Sequence, residues 1–271
     1  MNSPDKPYHV VSIVGYDRSG TTFLGKYLDQ YEGAFYIGEL DRGVDIIKKG
    51  LKMKCTCGAG YDTCSVWSHL VKLVAQEEDP GIPQMYDLIY QVTKARVLID
   101  SSKSFAQLKG LSEAFGDRHV LIRLIRNPKG VIYSRMKTRI RRVSRNKHPK
   151  PWLAKRTNLL MVYDTIEWSL ENVWLENYVK RSGNVLKLTY ELLDQTLERE
   201  VIPFLATFGM GSNFNSEKQS HILFGNISRF DPLVRAFKID RAWETGLSVP
   251  RRVLIDALSF PVRKLFGYKF N

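Results

Sequence analysis

A chain of 271 residues, 44% hydrophobic and 25% charged, is long enough for one large α/β domain or two small ones, and we expect a single domain over 1–271. No apolar run approaches the length of a membrane span, and the opening MNSPDKPYH lacks the basic-then-apolar pattern of a secretory signal. The formal charge of +13 favours an anionic ligand, an acidic polymer or an anionic membrane surface, without choosing among them.

In chain order, the first apolar run is VVSIV (10–14), followed by GYDRSG and then TTFLGKYLDQY, which has helical period. Gly15 and Gly20 stand five apart and Thr21-Thr22 open the helix, the frame of a nucleotide-binding loop with Thr21 where its lysine belongs. Backbone amides and a helix N-terminus still hold a phosphate there. What is missing is the cation that bridges the β and γ phosphates of a triphosphate. Arg18 supplies positive charge from within the loop instead, which suits a nucleotide whose reactive group sits on the 5′-phosphate.

Further runs follow: AFYI (34–37), VLI (97–99), HVLIRLI (119–125) and VLKL (185–188), most of them reading as strands buried on both faces. Between them lie amphipathic helical segments: PQMYDLIYQVTK, SFAQLKGLSEAF, and a long one from TNLLMVYD to ENYVKR that stops at Ser182-Gly183. Alternation of this kind predicts a mostly parallel sheet flanked by helices. GMGSNFN (209–215) reads as an internal loop. After HVLIRLI comes RNPKGVIYS: Arg126 at the strand end, Pro128 in the first helical turn and Ser134 about two turns on. An Arg and a hydroxyl near a helix start describe a second anion site on the same sheet edge. Residues 135–156 carry ten Lys or Arg and no acid, either a solvated helix end and loop or a surface for an anionic polymer or membrane.

The loop YDRSGTTFL together with RNPKGVIYS resembles the sulfotransferases that use 3′-phosphoadenosine 5′-phosphosulfate (PAPS). GEL (38–40), VLIDSSKS (97–104), LTYELL (188–193) and HILFGNISRF (221–230) look like later landmarks of bacterial and carbohydrate-type members. The resemblance implies a P-loop, nucleoside-kinase-like α/β fold. It implies PAPS as donor, adenosine 3′,5′-bisphosphate (PAP) as product, and an acceptor hydroxyl on a saccharide, lipid or small natural product. It implies that Arg18, Ser19, Gly20, Thr21 and Thr22 cradle the 5′-phosphate, and that Arg126 and Ser134 hold the 3′-phosphate. Arg229 is implied as a late contact to that same phosphate, and Phe23 and Tyr190 as adenine-side aromatics, with core packing the alternative for both rings. Cytosolic members place a His after the third strand, where this chain has Asp100-Ser101-Ser102-Lys103. FYIGELDRG resembles the segment that contributes the base in tyrosylprotein sulfotransferases. The candidate base is therefore Glu39, with Lys103 and Arg18 as electrophilic stabilisers and no catalytic metal.

Cys55, Cys57 and Cys64 fall within ten residues. With His69 they could form a Cys₃His zinc site, and a disulfide plus one thiol, or three free thiols, are the alternatives. His9, His119, His148 and His221 read as structural. A phosphate-loop kinase or NTPase, and a basic polyanion- or membrane-binding module on a nucleotide fold, remain as other function classes; no nucleic acid is expected and oligomeric state is left open. We expect a cytoplasmic protein, although a Golgi-lumenal domain separated from its anchor would read the same.

Overall fold

The computed structural model describes residues 7–77, 80–144, 156–231 and 238–268. Five strands, β1 (His9–Val14), β2 (Ala34–Gly38), β3 (Val97–Asp100), β4 (His119–Ile125) and β5 (Val185–Thr189), form one sheet in the order β2-β3-β1-β4-β5. Every pairing is parallel. Helices α1 (Thr21–Asp29), α2 (Leu40–Lys48), α3 (Trp67–Gln76), α4 (Ile82–Thr93), α5 (Phe105–Phe115), α6 (Pro128–Ser144), α7 (Thr157–Val179) and α8 (Val249–Leu265) surround it. Among the described residues no helix is long and apolar enough to cross a membrane.

The period-two alternation of strand side chains divides the interior into two faces. Val11, Ile13, Ile99, Ile122 and Leu124 face α1 and the short helical turns around 193–205. Val10, Leu98, Phe35 and Ile37 face the opposite way, onto Trp67, Leu70, Tyr86 and Leu111 of α3 to α5. Strands β1 to β4 are buried almost throughout, as continuous apolar runs require. Strand β5, at one edge of the sheet, departs from the expectation of burial on both faces: Lys187 is exposed there, paired with Glu176.

From β1 the chain first runs to β2 on one side, and later crosses from β3 over to β4 on the other. Ligands bind at such a switch point, beyond the carboxyl ends of the strands. The loops after β1, β2, β3 and β4 therefore define where chemistry can occur.

The basic stretch divides. Arg135 and Arg139 turn inward onto α7, where both pair with Asp164 and Arg135 also with Glu167. Lys137, Arg141 and Arg142 are exposed, and positions 145–155, including His148, lie outside the described residues. His119 is structural as expected: it is buried between the hydroxyls of Ser12 and Ser112, at 2.8 and 2.9 Å, and burial pushes its pKa down to about 4.

Asp100, at the end of β3, is fully buried and accepts from the Ser102 amide and the Tyr86 hydroxyl. Burial pushes its carboxyl up to about 6 from 3.8. Between those values the folded chain holds a proton that the unfolded chain has released, so this group's contribution to stability is lost as pH rises through that window. Asp100→Asn removes the titration. Thermal melts from pH 4 to 7 should show the variant gaining on the native chain by on the order of 3 kcal/mol, and a pH-independent difference would refute the assignment.

Candidate functional site

Gly15 opens the loop after β1 because nothing larger fits: a Cβ there would stand 2.5 Å from the Leu124 carbonyl oxygen of β4. The chain then turns through Arg18, at φ 68°, and Gly20, at φ 97°. The left-handed conformation at Arg18 costs about 1–3 kcal/mol in a residue with a Cβ. It presents the Arg18 carbonyl to Arg126, whose Nη1 donates to it at 3.0 Å. The loops after β1 and β4 thus meet directly.

Tyr190 supports both. A Cβ at Gly20 would lie 2.7 Å from its ring, and the Arg126 guanidinium stacks on that ring at 4.2 Å. The residue is 6% exposed and belongs to the core beneath the loop. Its ring thus serves as a platform for Gly20 and Arg126, the core alternative rather than an open adenine face. Phe23 stacks on Tyr27 along α1.

Four buried polar atoms of these loops have no hydrogen-bond partner: Arg18 Nε, Ser19 Oγ, Arg126 Nε and Asn127 Nδ2. Buried polar atoms without a hydrogen-bond partner are expensive, and these four sit on two loops that the Arg126 to Arg18 hydrogen bond joins. Thr21 and Thr22 are buried at the start of α1, and Ser134 is half-buried on the second turn of α6. Thr22 joins a hydrogen-bond chain through Tyr36 to Ser101, whose Oγ lies 2.7 Å from the Tyr36 hydroxyl. That chain fixes the helix start against the ends of β2 and β3.

Glu39 follows β2 and is 3% exposed. Its Oε1 lies 3.6 Å from Lys103 Nζ, and its Oε2 lies 3.2 Å from Arg42 Nη1. Lys103 also reaches Asp17 at 3.4 Å, and Asp17 lies 3.6 Å from Arg18 Nε. One ionic chain therefore runs from the β2 loop to the β1 loop. The expected trio of Arg18, Lys103 and Glu39 is contiguous. Sequence reasoning missed Asp17, which sits inside the quoted loop, and Arg42, one turn after Glu39.

It also missed Asp240. This carboxylate pairs with Arg126 at 3.0 Å. No pattern in KIDRAW signals a contact spanning 114 positions. Glu191, likewise unexpected, accepts from the Asn127 amide at 3.0 Å, and burial raises its pKa. Glu171 on α7 faces Lys103 and Arg135, its pKa raised by burial and by Glu167.

Arg229 stands apart from the set expected around Arg126. The groups around its guanidinium are Cys55, Glu39 and Tyr36, and burial works against its charge. Its Nη1 donates to the Gly225 carbonyl, and Gly225 lies against Glu39. The residue therefore belongs to the Glu39 side of the site.

The cysteines gather with an imidazole, but it is His221 and not His69. All four ligand atoms of Cys55, Cys57, Cys64 and His221 lie within 4.8 Å of one another. His69 points elsewhere because it is two residues into α3, whereas Trp67 Nε1 holds the His221 carbonyl at 2.6 Å. All three cysteines are free.

The family model for the sulfotransferase domain matches residues 9–223. The chain belongs to the sulfotransferase family. Its reaction is the transfer of a sulfuryl group. The fold of this sulfotransferase is similar to that of the sulfotransferase domain from the curacin biosynthetic pathway, at 16% identity and a TM-score of 0.58, over 97% of this chain and 99% of that one. It is also similar to the crystal structure of mouse sulfotransferase SULT7A1 complexed with PAP, at 15% identity and a TM-score of 0.54, over 98% of this chain and 90% of that one. No curated protein matches the sequence significantly.

The Tyr190 platform makes Gly20 irreplaceable in this sulfotransferase. Gly20→Ala should cost about 1–3 kcal/mol in denaturant unfolding, from positive φ and from the ring beneath. Part of that cost should be recovered in a Gly20→Ala, Tyr190→Ala double variant, measured as a double-mutant cycle. Strict additivity would mean the ring and loop do not touch.

Proposed function

We propose that this chain acts as one domain that transfers the sulfuryl group of PAPS to an acceptor hydroxyl, with Glu39 as the base. The observation that carries this reading is that the buried atoms Arg18 Nε, Ser19 Oγ, Arg126 Nε and Asn127 Nδ2 have no hydrogen-bond partner, on loops joined by the Arg126 to Arg18 hydrogen bond. A doubly phosphorylated adenosine needs two adjoining anion sites, and those atoms supply them. The mouse neighbour's complex with PAP supports the same ligand class.

When bound, PAPS supplies the activated sulfuryl group. Ser19, Gly20, Thr21 and Thr22 would hold its 5′-phosphate with backbone amides and hydroxyls, while Arg126 and Ser134 would hold the 3′-phosphate. Glu39 takes the proton of the acceptor hydroxyl at a carboxylate oxygen. Its low exposure shields that oxygen from water, and Arg42 and Lys103 fix its orientation. Lys103 and Arg18 place positive charge where negative charge develops on the leaving side. Sulfuryl transfer, like phosphoryl transfer, depends on positioning and charge more than on covalent catalysis. Cysteines not joined in a disulfide suit a reducing, cytoplasmic setting.

Transfer of radiolabelled sulfate from PAPS to a panel of saccharide, lipid and small-molecule hydroxyls tests the activity, and a thermal shift with PAP tests the site. Arg18→Ala should abolish turnover and weaken PAP binding. Glu39→Gln should lower kcat by about 10²–10⁴-fold with PAP affinity retained. Full activity in the Gln variant would remove Glu39 as base, and the absence of any shift with PAP would remove the donor assignment.

A further inference from the structure

We propose that Cys55, Cys57, Cys64 and His221 bind one zinc ion, and that this ion fastens the segment after β2 to the chain flanking Glu39. The set has both the chemistry and the spacing. Three thiolates and an imidazole are a tetrahedral zinc donor set of the closed, structural type. With Zn–S near 2.3 Å and Zn–N near 2.0 Å, sulfurs stand about 3.8 Å apart and sulfur and nitrogen about 3.5 Å apart. Here Cys57 and Cys64 Sγ are 3.8 Å apart, and Cys64 Sγ lies 3.3 Å from His221 Nδ1.

Hydrogen bonds of the surrounding chain position the four groups. A tight turn, closed by Cys55 N to Ala59 O at 2.9 Å and by the Lys54–Gly60 bridge, brings the first two thiols to one side. The amides of Cys57 and Ala59 point at the sulfurs of Cys55 and Cys57, as thiolates require. Cys64 is set by its amide bond to the Gly60 carbonyl, at 2.8 Å, just before α3. His221 arrives from 157 residues away and is positioned independently. Trp67 holds its carbonyl, and Thr56 bonds the residues on either side, donating to Ser220 O at 2.7 Å and accepting from Ile222 N at 2.8 Å. Ser220 is anchored in turn on the buried Asp29 of α1. A disulfide would use two of the four groups and leave an imidazole and a thiol aimed at nothing.

The clip bears on the site. Immediately after His221 the chain buries Leu223 and Phe224, packs Phe224 against Gly38 and Gly43, and sets Gly225 beside Glu39. The Arg229 guanidinium interacts electrostatically with both Cys55 and Glu39. Zinc bound by three thiolates carries net negative charge, which the half-buried Arg229 guanidinium offsets. Binding exchanges three thiol protons for one Zn²⁺, with no oxidant or reductant needed.

The test uses the full chain produced in zinc-replete medium. Metal analysis should find about one zinc per chain, and Co²⁺ substitution should give thiolate-to-cobalt charge-transfer absorption together with tetrahedral ligand-field bands. His221→Ala should lose zinc at least several-fold and melt lower, whereas His69→Ala should keep full zinc. A chain without zinc that also takes up no Co²⁺ would overturn the proposal. So would an intact mass showing a Cys57–Cys64 disulfide, or zinc lost with His69 but kept without His221. If His221→Ala does not fold, the cobalt spectrum of the native chain decides. These readouts do not involve sulfuryl transfer, so they stand or fall apart from the assignment of PAPS.

Discussion

Arg126 Nη1 donates to the backbone oxygen of Arg18 at 3.0 Å, and that contact makes one site out of two loops. It demands much of the surrounding chain. The Arg18 carbonyl is available only because residue 18 sits at positive φ, and that turn is available only because Gly15 lets the β1 loop approach Leu124 of β4. The guanidinium is held flat by the Tyr190 ring, which also limits position 20 to glycine. Strain at Arg18 is thus held in place by packing from β4 and from the turn after β5.

Most of the fold was legible in the sequence, because buried parallel strands are short continuous apolar runs, although such a run alone does not exclude a helix: VLID is β3 at 97–100 and part of α8 at 253–256. VVSIV, AFYI, VLI and HVLIRLI each fall within an observed strand to within a residue or two, and the amphipathic stretches opening at Thr21, Pro83, Ser104 and Thr157 became helices. Strand order was not legible. It follows from which faces of β1, β3 and β4 find complementary partners, a property of the whole core that no local window contains. The edge position of β5 was hidden for the same reason.

The site divides along similar lines. The turn from Gly15 through Arg18 and Gly20 into α1 was legible, since a strand-loop-helix frame is a local device whose glycines and hydroxyls are adjacent in sequence. Residues that complete the site from afar were not. His221 stands with Cys64 across 157 positions, while His69, only five positions on, is carried away by α3. Arg229 reads as one more cation for a phosphate, yet the segment carrying it is pinned over α1 by Lys26, which donates to the carbonyls of Ser228 and Asp231 at 3.1 and 2.6 Å. That anchor commits Arg229 to the Glu39 side. The basic run from 135 was legible as charge but not as direction, because Asp164 and Glu167 on α7 draw two of its arginines inward.

The carboxylates that sequence reasoning missed share one role. Cations concentrated in a crevice repel one another and lose hydration, so a chain that holds Arg18, Lys103 and Arg126 within adjoining loops needs counter-charge before any ligand arrives. Asp17 and Asp240 supply it, with side chains 45% and 52% exposed. Partners that exposed give up their ion pairs to water at little cost, because screened surface pairs are weak. Glu39 is different: at 4% side-chain exposure it has no such escape and stays fixed between Lys103 and Arg42. The same ionic chain therefore holds two kinds of acid. The half-exposed ones are held by weak, screened pairs, and the enclosed one is fixed between Lys103 and Arg42.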